Sequence, residues 1–599
     1  MLVARTMLSC GGDGVTGTMK LTTLNDVLLR AGSKDGATIA LRQDANNEWH
    51  PIPSAEMMEH VRKFAAWLKR QGVVKGDRVG LIAENRWEWA VTDFAVMAVG
   101  AVGVPLFPTL TADQTAAQLK DSGAKIVVVS SAELAKKVQG TLAQTAIETI
   151  VVMETKELLA NVVMFSDALT TPADANFEET LRSVGPDDLA TIIYTSGTTG
   201  DAKGVMLTHG NFAANLEATT SLFNFSEKDS CVSFLPLSHV TARHVDYLLY
   251  LKDVTVAYCG KVEKLLPAFQ AVKPTIFIAV PRLYERIRHS VEQKSAASPV
   301  KKKILAWALK QGRKNHAPLL AGKTPSALGW KIANKLVYSK VRAAFGGRVT
   351  TFVAGGAPLG IDLANWFADA GIPILEGYGL TETSPVISVN LPGRHKIGTT
   401  GQTMPNIECR IAEDGELEVR GPSIFKGYWQ KPEATAEVMD AEGWFRTGDV
   451  GNIDADGFLS ITDRKRELIK TTNGKFIAPQ PIENKLKVSS LIGFAALQGD
   501  KRKYISVLLT PNFASLEAQG ITGDHNAVVA KADVLALYQA EIDRVNADLA
   551  PFEKIKRFRL LPVEWTIETG EVTPSMKLKR RIVAQKHASE IAEMYGTGE

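Results

Sequence analysis

Cysteine is almost missing from this chain of 599 residues: there are four, Cys10, Cys231, Cys259 and Cys409, and no two stand at CxxC or CxxH spacing. Neither a zinc knuckle nor a disulfide framework can therefore organise the fold, and a reducing compartment suits it. Nor is there an apolar run of about 18 residues, the length a bilayer-spanning helix requires. The start, MLVARTMLSCGGDG, is mildly basic without the apolar core of a secretion signal. The expectation is a cytoplasmic protein, in solution or peripheral on the inner face of a membrane. Familiar catalytic signatures are missing as well. No GxSxG elbow anchors a hydrolase triad. His239 and His244 stand five apart, too far around a helix to share a face, and no third metal ligand accompanies them. Gly12 to Gly17 matches GxGxxG, but no βαβ unit surrounds it. Met19 is an alternative start, and residues 1–18 read as a disordered extension.

What is present is a globular composition, 45% hydrophobic and 22% charged, on a chain too long for one core. The short apolar runs Arg78–Ala83, Lys125–Val129, Thr149–Met153, Leu189–Tyr194, Thr275–Val280 and Val349–Ala354 alternate with helix-length segments. Ala55 to Gln71 carries Met57, Val61, Phe64 and Leu68 on one face, and Gly72 follows as a C-terminal cap. Together these predict an α/β fold with largely parallel sheets. From Gly398 onward short alternating segments such as Glu416–Arg420 predict a β-rich subdomain. A last α+β region comes after the charged segment DRKRELIKTTNGK, which places a domain boundary at Asp463.

The net charge of +4 conceals an asymmetry. Between Pro281 and Thr350 stand sixteen Lys or Arg against two acids, Glu285 and Glu292, a local excess of +14 that leaves −10 for the remainder. Such a block calls for an anionic partner. Within it, Leu328–Phe345 reads as an amphipathic helix with Trp330, Val337, Val341 and Ala344 on one side and Lys331, Lys335, Tyr338 and Arg342 on the next. It fits first a core-packed helix with a solvated basic face, and next to that an interfacial helix on lipid. Interleaved stacking aromatics are lacking, so nucleic acid is not the expected partner.

One loop concentrates donors and avoids bulk. In YTSGTTGDAKGV, the backbone amides of Gly197 and Gly200, the hydroxyls of Thr195, Ser196, Thr198 and Thr199 and the ammonium of Lys203 can cradle phosphate oxygens. It is not a Walker A loop: two residues, not four, separate the glycines, and Gly204 follows the lysine.

That loop is succeeded in order by AGGAPL (354–359), EGYGLTE (376–382), GWFRTGD (443–449) and DRKRELIK (463–470). The series resembles the adenylate-forming superfamily of acyl-CoA synthetases, luciferases and adenylation domains, over roughly Leu21 to Ile582. The resemblance implies a large AMP-binding N-terminal domain (19–463) and a small mobile C-terminal cap (464–599). It gives the first loop to the β and γ phosphates of ATP. Gly356, Ala357 and Tyr378 would receive adenine, and Asp449 with Arg464 the ribose. Thr381 would meet the α-phosphate and Glu382 hold Mg2+. LKR at 578–580 comes directly after Lys577, the expected catalytic cation, with Lys579 as rival and Met576 where glycine is usual. Arg466 falls at the hinge. Ala202 stands where proline is usual, which loosens the loop without removing a ligand.

Phe234 to His239, FLPLSH, resembles the PLSH segment of acyl-CoA synthetases and places His239 near the mouth of the acyl site. No aspartate in LPLSHVTARH would pair an amino acid's ammonium. The basic insertion, about 288–348, resembles that of long-chain synthetases. The resemblance therefore implies a long-chain fatty acid:CoA ligase using ATP, CoA and Mg2+, with possible peripheral contact to anionic membrane. The alternatives are acyl transfer to a carrier protein and a non-catalytic fatty-acid-binding or uptake protein.

Overall fold

Runs of valine and isoleucine form strands here because parallel strands are covered on both faces. The computed structural model describes residues 20–33, 36–44, 46–196, 202–296, 298–472, 475–573 and 577–596, without the side chain of Ser196. Among them, Arg78–Ile82, Ile126–Val129 and Thr149–Val152 run parallel in an eight-stranded sheet with Val102–Leu106 and Leu189–Ser196. A second sheet of nine strands runs through Ser230–Ser233, Ile276–Ala279, Thr351–Ala354 and Ile374–Gly379 in parallel, then adds Val386–Val389 antiparallel. The predicted β-rich subdomain is an antiparallel sheet of Glu408–Ile411, Glu416–Arg420, Phe445–Ile453 and Leu459–Arg464. The last region has its own sheet, Ile492–Gln498, Ile505–Pro511 and Ile555–Leu560, and its own core around Ile482, Leu486, Val507 and Tyr538. The expectations for residues 1–18, including Gly12 to Gly17, and for the alternative start at Met19 lie outside the described residues.

Two helices are fixed by devices that bear on the site. The helix Ser54–Arg70 buries Met57, Val61, Phe64 and Leu68, and Gly72 comes after it at φ +81°. The helix Val240–Leu251 begins at His239, whose Nδ1 accepts from the Thr241 N–H at 3.2 Å. One turn on, the buried Arg243 donates through Nε to Asp93 at 3.0 Å, and Tyr247 donates to the same carboxylate at 2.5 Å. Asp93 lies on the helix Trp87–Ala98, so an ion pair inside the core ties the two helices together. Removing one partner of such a pair costs about 3–5 kcal/mol.

The basic insertion differs from expectation. Leu328–Phe345 is not one regular helix: a π-helical turn, Asn334–Tyr338, separates Leu328–Ala333 from Ser339–Ala343. The extra residue in that turn rotates the helix beyond it. Trp330 and Val341 face the core as the spacing implied, but Tyr338 joins them, fully buried, donating to the Ala308 carbonyl at 2.5 Å. The outward side is not purely basic. Leu328, Ile332 and Leu336 are 73%, 44% and 43% exposed, beside exposed Lys331 and Lys335. The neighbouring helix Pro299–Arg313 docks through Gly312, where a Cβ would come within 1.7 Å of the Asp369 carbonyl oxygen.

Candidate active site

The strand Leu189–Ser196 enters the expected phosphate loop and Ala202–Thr208 leaves it, paired so that Thr195 faces Lys203. Gly197, Thr198, Thr199 and Gly200 lie outside the described residues, as does the side chain of Ser196. Lys203 emerges from the return strand with its Nζ 4.8 Å from the centre of the Tyr428 ring. Tyr428 arrives on the strand Gly427–Tyr428, antiparallel to Ala202–Thr208, and its hydroxyl donates to Glu382 Oε1 at 3.0 Å. One aromatic side chain thus links the lysine of the first motif to the acid of the third. Sequence reasoning missed Tyr428, because a contact between positions more than two hundred residues apart leaves no local periodicity.

Glu382 stands next to Thr381 in a tight turn after Ile374–Gly379, and its backbone carbonyl is held by the Phe425 N–H at 2.8 Å. That turn needs Gly379, whose Cβ would lie 1.7 Å from the Pro385 carbonyl oxygen. Burial pushes the Glu382 carboxyl above its ordinary pKa, while the Tyr428 hydroxyl and nearby Arg464 pull the other way. A cation would reverse that cost. A single half-buried carboxylate beside a threonine hydroxyl fits Mg2+, which keeps waters and substrate phosphates as its other ligands rather than sitting in an all-protein cage. Among the described residues, the one cluster of three potential ligands, Asp44, Glu48 and His50, is an exposed turn in which Asp44 accepts the backbone N–H of Asn46 and Glu48, each at 2.8 Å.

Asp449 sits opposite Arg464 across the antiparallel pair Phe445–Ile453 and Leu459–Arg464. Its two oxygens meet Arg464 Nε at 3.4 Å and the Tyr378 hydroxyl at 2.5 Å. Burial raises the Asp449 pKa, partly offset by Arg464 and Tyr378. Tyr378 is therefore held by its hydroxyl, and its half-buried ring packs against the core. Gly356, at φ +82°, and Ala357 lie exposed just after Thr351–Ala354, the strand adjoining that of Tyr378.

Lys577 approaches from the last region. Its loop is closed by the Thr573 N–H to the Lys577 carbonyl at 2.8 Å, the Lys577 N–H to Thr573 Oγ1 at 2.9 Å and the Lys579 N–H to the Glu571 carbonyl at 2.7 Å. The residue is exposed to solvent, with Arg464, Asp449, Glu467 and Glu382 near enough to act on its charge. Desolvation lowers its pKa, Arg464 lowers it further, and Asp449, Glu467 and Glu382 oppose both. His239 feels the same lysine: burial first and Lys577 second bring its pKa down to about 4, so the imidazole is neutral at pH 7. Tyr428 links Lys203 to Glu382, Arg464 pairs with Asp449, and Lys577 lies near enough to Glu382, Asp449, Arg464 and His239 to act on their charges. Lys579 lies just before the helix Arg580–Lys586, and Met576 falls outside the described residues.

A two-lobed α/β chain whose small second lobe brings Lys577 towards Asp449 and Glu382 of the first has the arrangement of an adenylate-forming enzyme. The comparisons with known proteins agree: the model for AMP-binding enzymes matches residues 30–429, that for the AMP-binding enzyme C-terminal domain matches 466–599, and the chain belongs to this family. The long-chain-fatty-acid–CoA ligase FadD15 of Mycobacterium tuberculosis is 36% identical over 570 residues, 91% of this chain and 92% of the relative. Human ACSBG2, likewise called a long-chain-fatty-acid–CoA ligase, is 29% identical over 96% of this chain and 92% of its own length. The adenylation domain of a Mycobacterium chelonae carboxylate reductase superposes with a TM-score of 0.74 over 96% of this chain and 91% of that one, and at 21% identity it is the fold that is shared.

Proposed function

We propose that the protein is an AMP-forming long-chain fatty acid:CoA ligase. The observation that carries this reading is the approach of Lys577, from the second lobe, to Asp449 and Glu382 of the first and to Arg464, which pairs with Asp449. In the first half-reaction a carboxylate oxygen attacks the α-phosphorus of ATP and pyrophosphate leaves, giving an acyl-adenylate. Lys577 would bridge the incoming carboxylate and the α-phosphate, where charge grows in the transition state. Thr195, Ser196, Gly197, Thr198, Thr199, Gly200 and Lys203 would hold the β and γ phosphates. Thr381 would meet the α-phosphate and Glu382 the Mg2+, which when bound neutralises charge on the phosphates. Gly356, Ala357 and Tyr378 would receive adenine, and Asp449 with Arg464 the ribose. In the second half-reaction the CoA thiol gives its proton to solvent, the sulfur attacks the acyl carbon, and AMP departs with the electron pair of the broken acyl–oxygen bond. His239, neutral and half-buried, would border the acyl entrance. The boundary between residues 19–463 and the cap, 464–599, would let Arg466 act as the hinge, two residues beyond Arg464, the last residue of the four-stranded sheet.

Long-chain acids are favoured because relatives bearing that name match over nine-tenths of the chain. No helix among the described residues is long and apolar enough to cross a membrane. Peripheral contact with anionic lipid is the reading we favour for the insertion, supported by the exposed Leu328, Ile332 and Leu336 among lysines. The activity is tested by pyrophosphate release across acids of two to twenty carbons, with CoA, with carrier-protein thiol and with neither. Palmitate should outpace short, aryl and amino acids and consume CoA. Faster aryl acids would overturn the substrate, and no release with any acid would overturn the ligase.

A further inference from the structure

The chain between the lobes is clamped on both sides of a single residue. Lys465 donates to Asp414 and, at 2.7 Å, to Glu416 Oε2, both on the N-terminal lobe's antiparallel sheet and its turn. Glu467, two residues on, accepts from Arg580 Nε at 2.9 Å. The other two guanidinium nitrogens form a fork on Glu483, at 2.6 and 2.7 Å. Glu483 lies on the helix Pro479–Lys487 and also accepts the Leu497 N–H at 2.8 Å, so this end is built into the C-terminal core. Arg466 is the residue left between the two anchors.

Arg580 is three residues from Lys577 and opens the helix that its loop feeds. Its side chain is 19% exposed, those of Glu483 and Glu467 7% and 24%. Burial works against the Arg580 charge, but the two carboxylates hold its pKa well above ordinary. A planar fork shared between two acids fixes direction as well as distance. Glu467 also lies close enough to Lys577 to favour its protonated form.

We infer that Glu467 is a positioning residue for Lys577: the Glu467–Arg580–Glu483 clasp ties the chain just beyond Arg466 to the Lys577 loop and sets where that lysine enters the nucleotide site. The inference rests on the ligase reading, since it assigns Lys577 to adenylation. It predicts that the two half-reactions respond differently. A reacting group misplaced by about 1 Å can cost about 10²-fold, and only adenylation uses Lys577.

The test measures ATP–pyrophosphate exchange with palmitate, and separately thioester formation from supplied palmitoyl-adenylate and CoA. Glu467→Gln should lower the maximal exchange rate about 10²-fold with little change in the KM for ATP, and leave thioester formation within about threefold of wild type. Arg580→Lys, whose single ammonium cannot span both carboxylates, should behave the same way. In a Lys577→Ala background, Glu467→Gln should have no further effect on residual exchange. Equal loss in both half-reactions, unchanged exchange, or a full further loss in the Lys577→Ala background overturns the inference. If Glu467→Gln does not fold, Glu467→Asp, which keeps the charge and shortens the reach, is scored by the same comparisons. Wild-type enzyme without exchange for any acid would instead sink the ligase reading.

Discussion

Single side chains set the chemistry through charge placed in a confined space. Lys577 is the clearest case: burial and Arg464 both disfavour its proton, so the free enzyme loses this cation at lower pH than an ordinary lysine would. A depressed pKa keeps the active, protonated form below it and loses that form as pH rises. The alkaline limb of kcat/KM for ATP, which reports the free enzyme, should therefore fall below the ordinary lysine pKa of about 10.4. Bound triphosphate supplies anions that favour the ammonium, so the corresponding limb of kcat should lie higher. Lys577→Ala should remove both limbs and lower exchange by about 10² to 10³-fold, the range for losing one preorganised charge donor. On the first lobe, Tyr428→Phe deletes the hydroxyl that donates to Glu382 while keeping the ring beneath Lys203. A hydrogen bond to a charged group contributes about 1.5–3 kcal/mol. The variant should need more Mg2+ for half-maximal exchange, with its KM for palmitate unchanged.

Elements carry these side chains, and their fit depends on positions that tolerate nothing larger. At Gly379 an added Cβ would meet backbone, not a flexible side chain, so Gly379→Ala must shift the Thr381–Glu382 turn. Overpacking of this kind costs about 1–3 kcal/mol, and thermal unfolding should show that loss together with a weakened response to Mg2+. EGYGLTE was legible in the sequence as a motif, but the turn that Gly379 permits was not. The parallel strands were legible: Ile126–Val129 is aliphatic at every position because both of its faces are covered. What a linear reading could not give was direction across space. Tyr428 meets Glu382 through a strand pairing with Ala202–Thr208, and Arg580 meets Glu483 through a helix almost a hundred residues earlier. The insertion helix shows the limit at shorter range. Ideal helical spacing assigns Tyr338 to the basic side, but the π turn at Asn334–Tyr338 adds a residue and sends it into the core.

Across the whole molecule, charge is distributed so that one region is strongly cationic while the remainder is anionic, +14 against −10. A body with that asymmetry orients in the field of an anionic surface before it touches it. Lys331 and Lys335 stand exposed beside Leu328, Ile332 and Leu336, and Lys301, Lys302 and Lys303 stand near exposed Val300 and Trp307 on the adjoining helix. Each lysine near an anionic membrane contributes about 1 kcal/mol, and each aliphatic side chain fully buried in the lipid interface about 1.5–3 kcal/mol. The two contributions separate experimentally, because salt screens the first and not the second. Flotation with phosphatidylglycerol-containing vesicles should show binding at low salt that falls steeply towards 1 M, where the Debye length shrinks to about 3 Å. Replacing Leu328, Ile332 and Leu336 together with serine should weaken that binding at every salt concentration, while octanoate in solution is activated at the wild-type rate. Palmitate delivered from vesicles should then be activated more slowly by the triple variant. Equal binding to neutral phosphatidylcholine vesicles would leave the lysines of the insertion without an electrostatic role, and a triple variant indistinguishable from wild type on anionic vesicles would leave Leu328, Ile332 and Leu336 without a lipid partner.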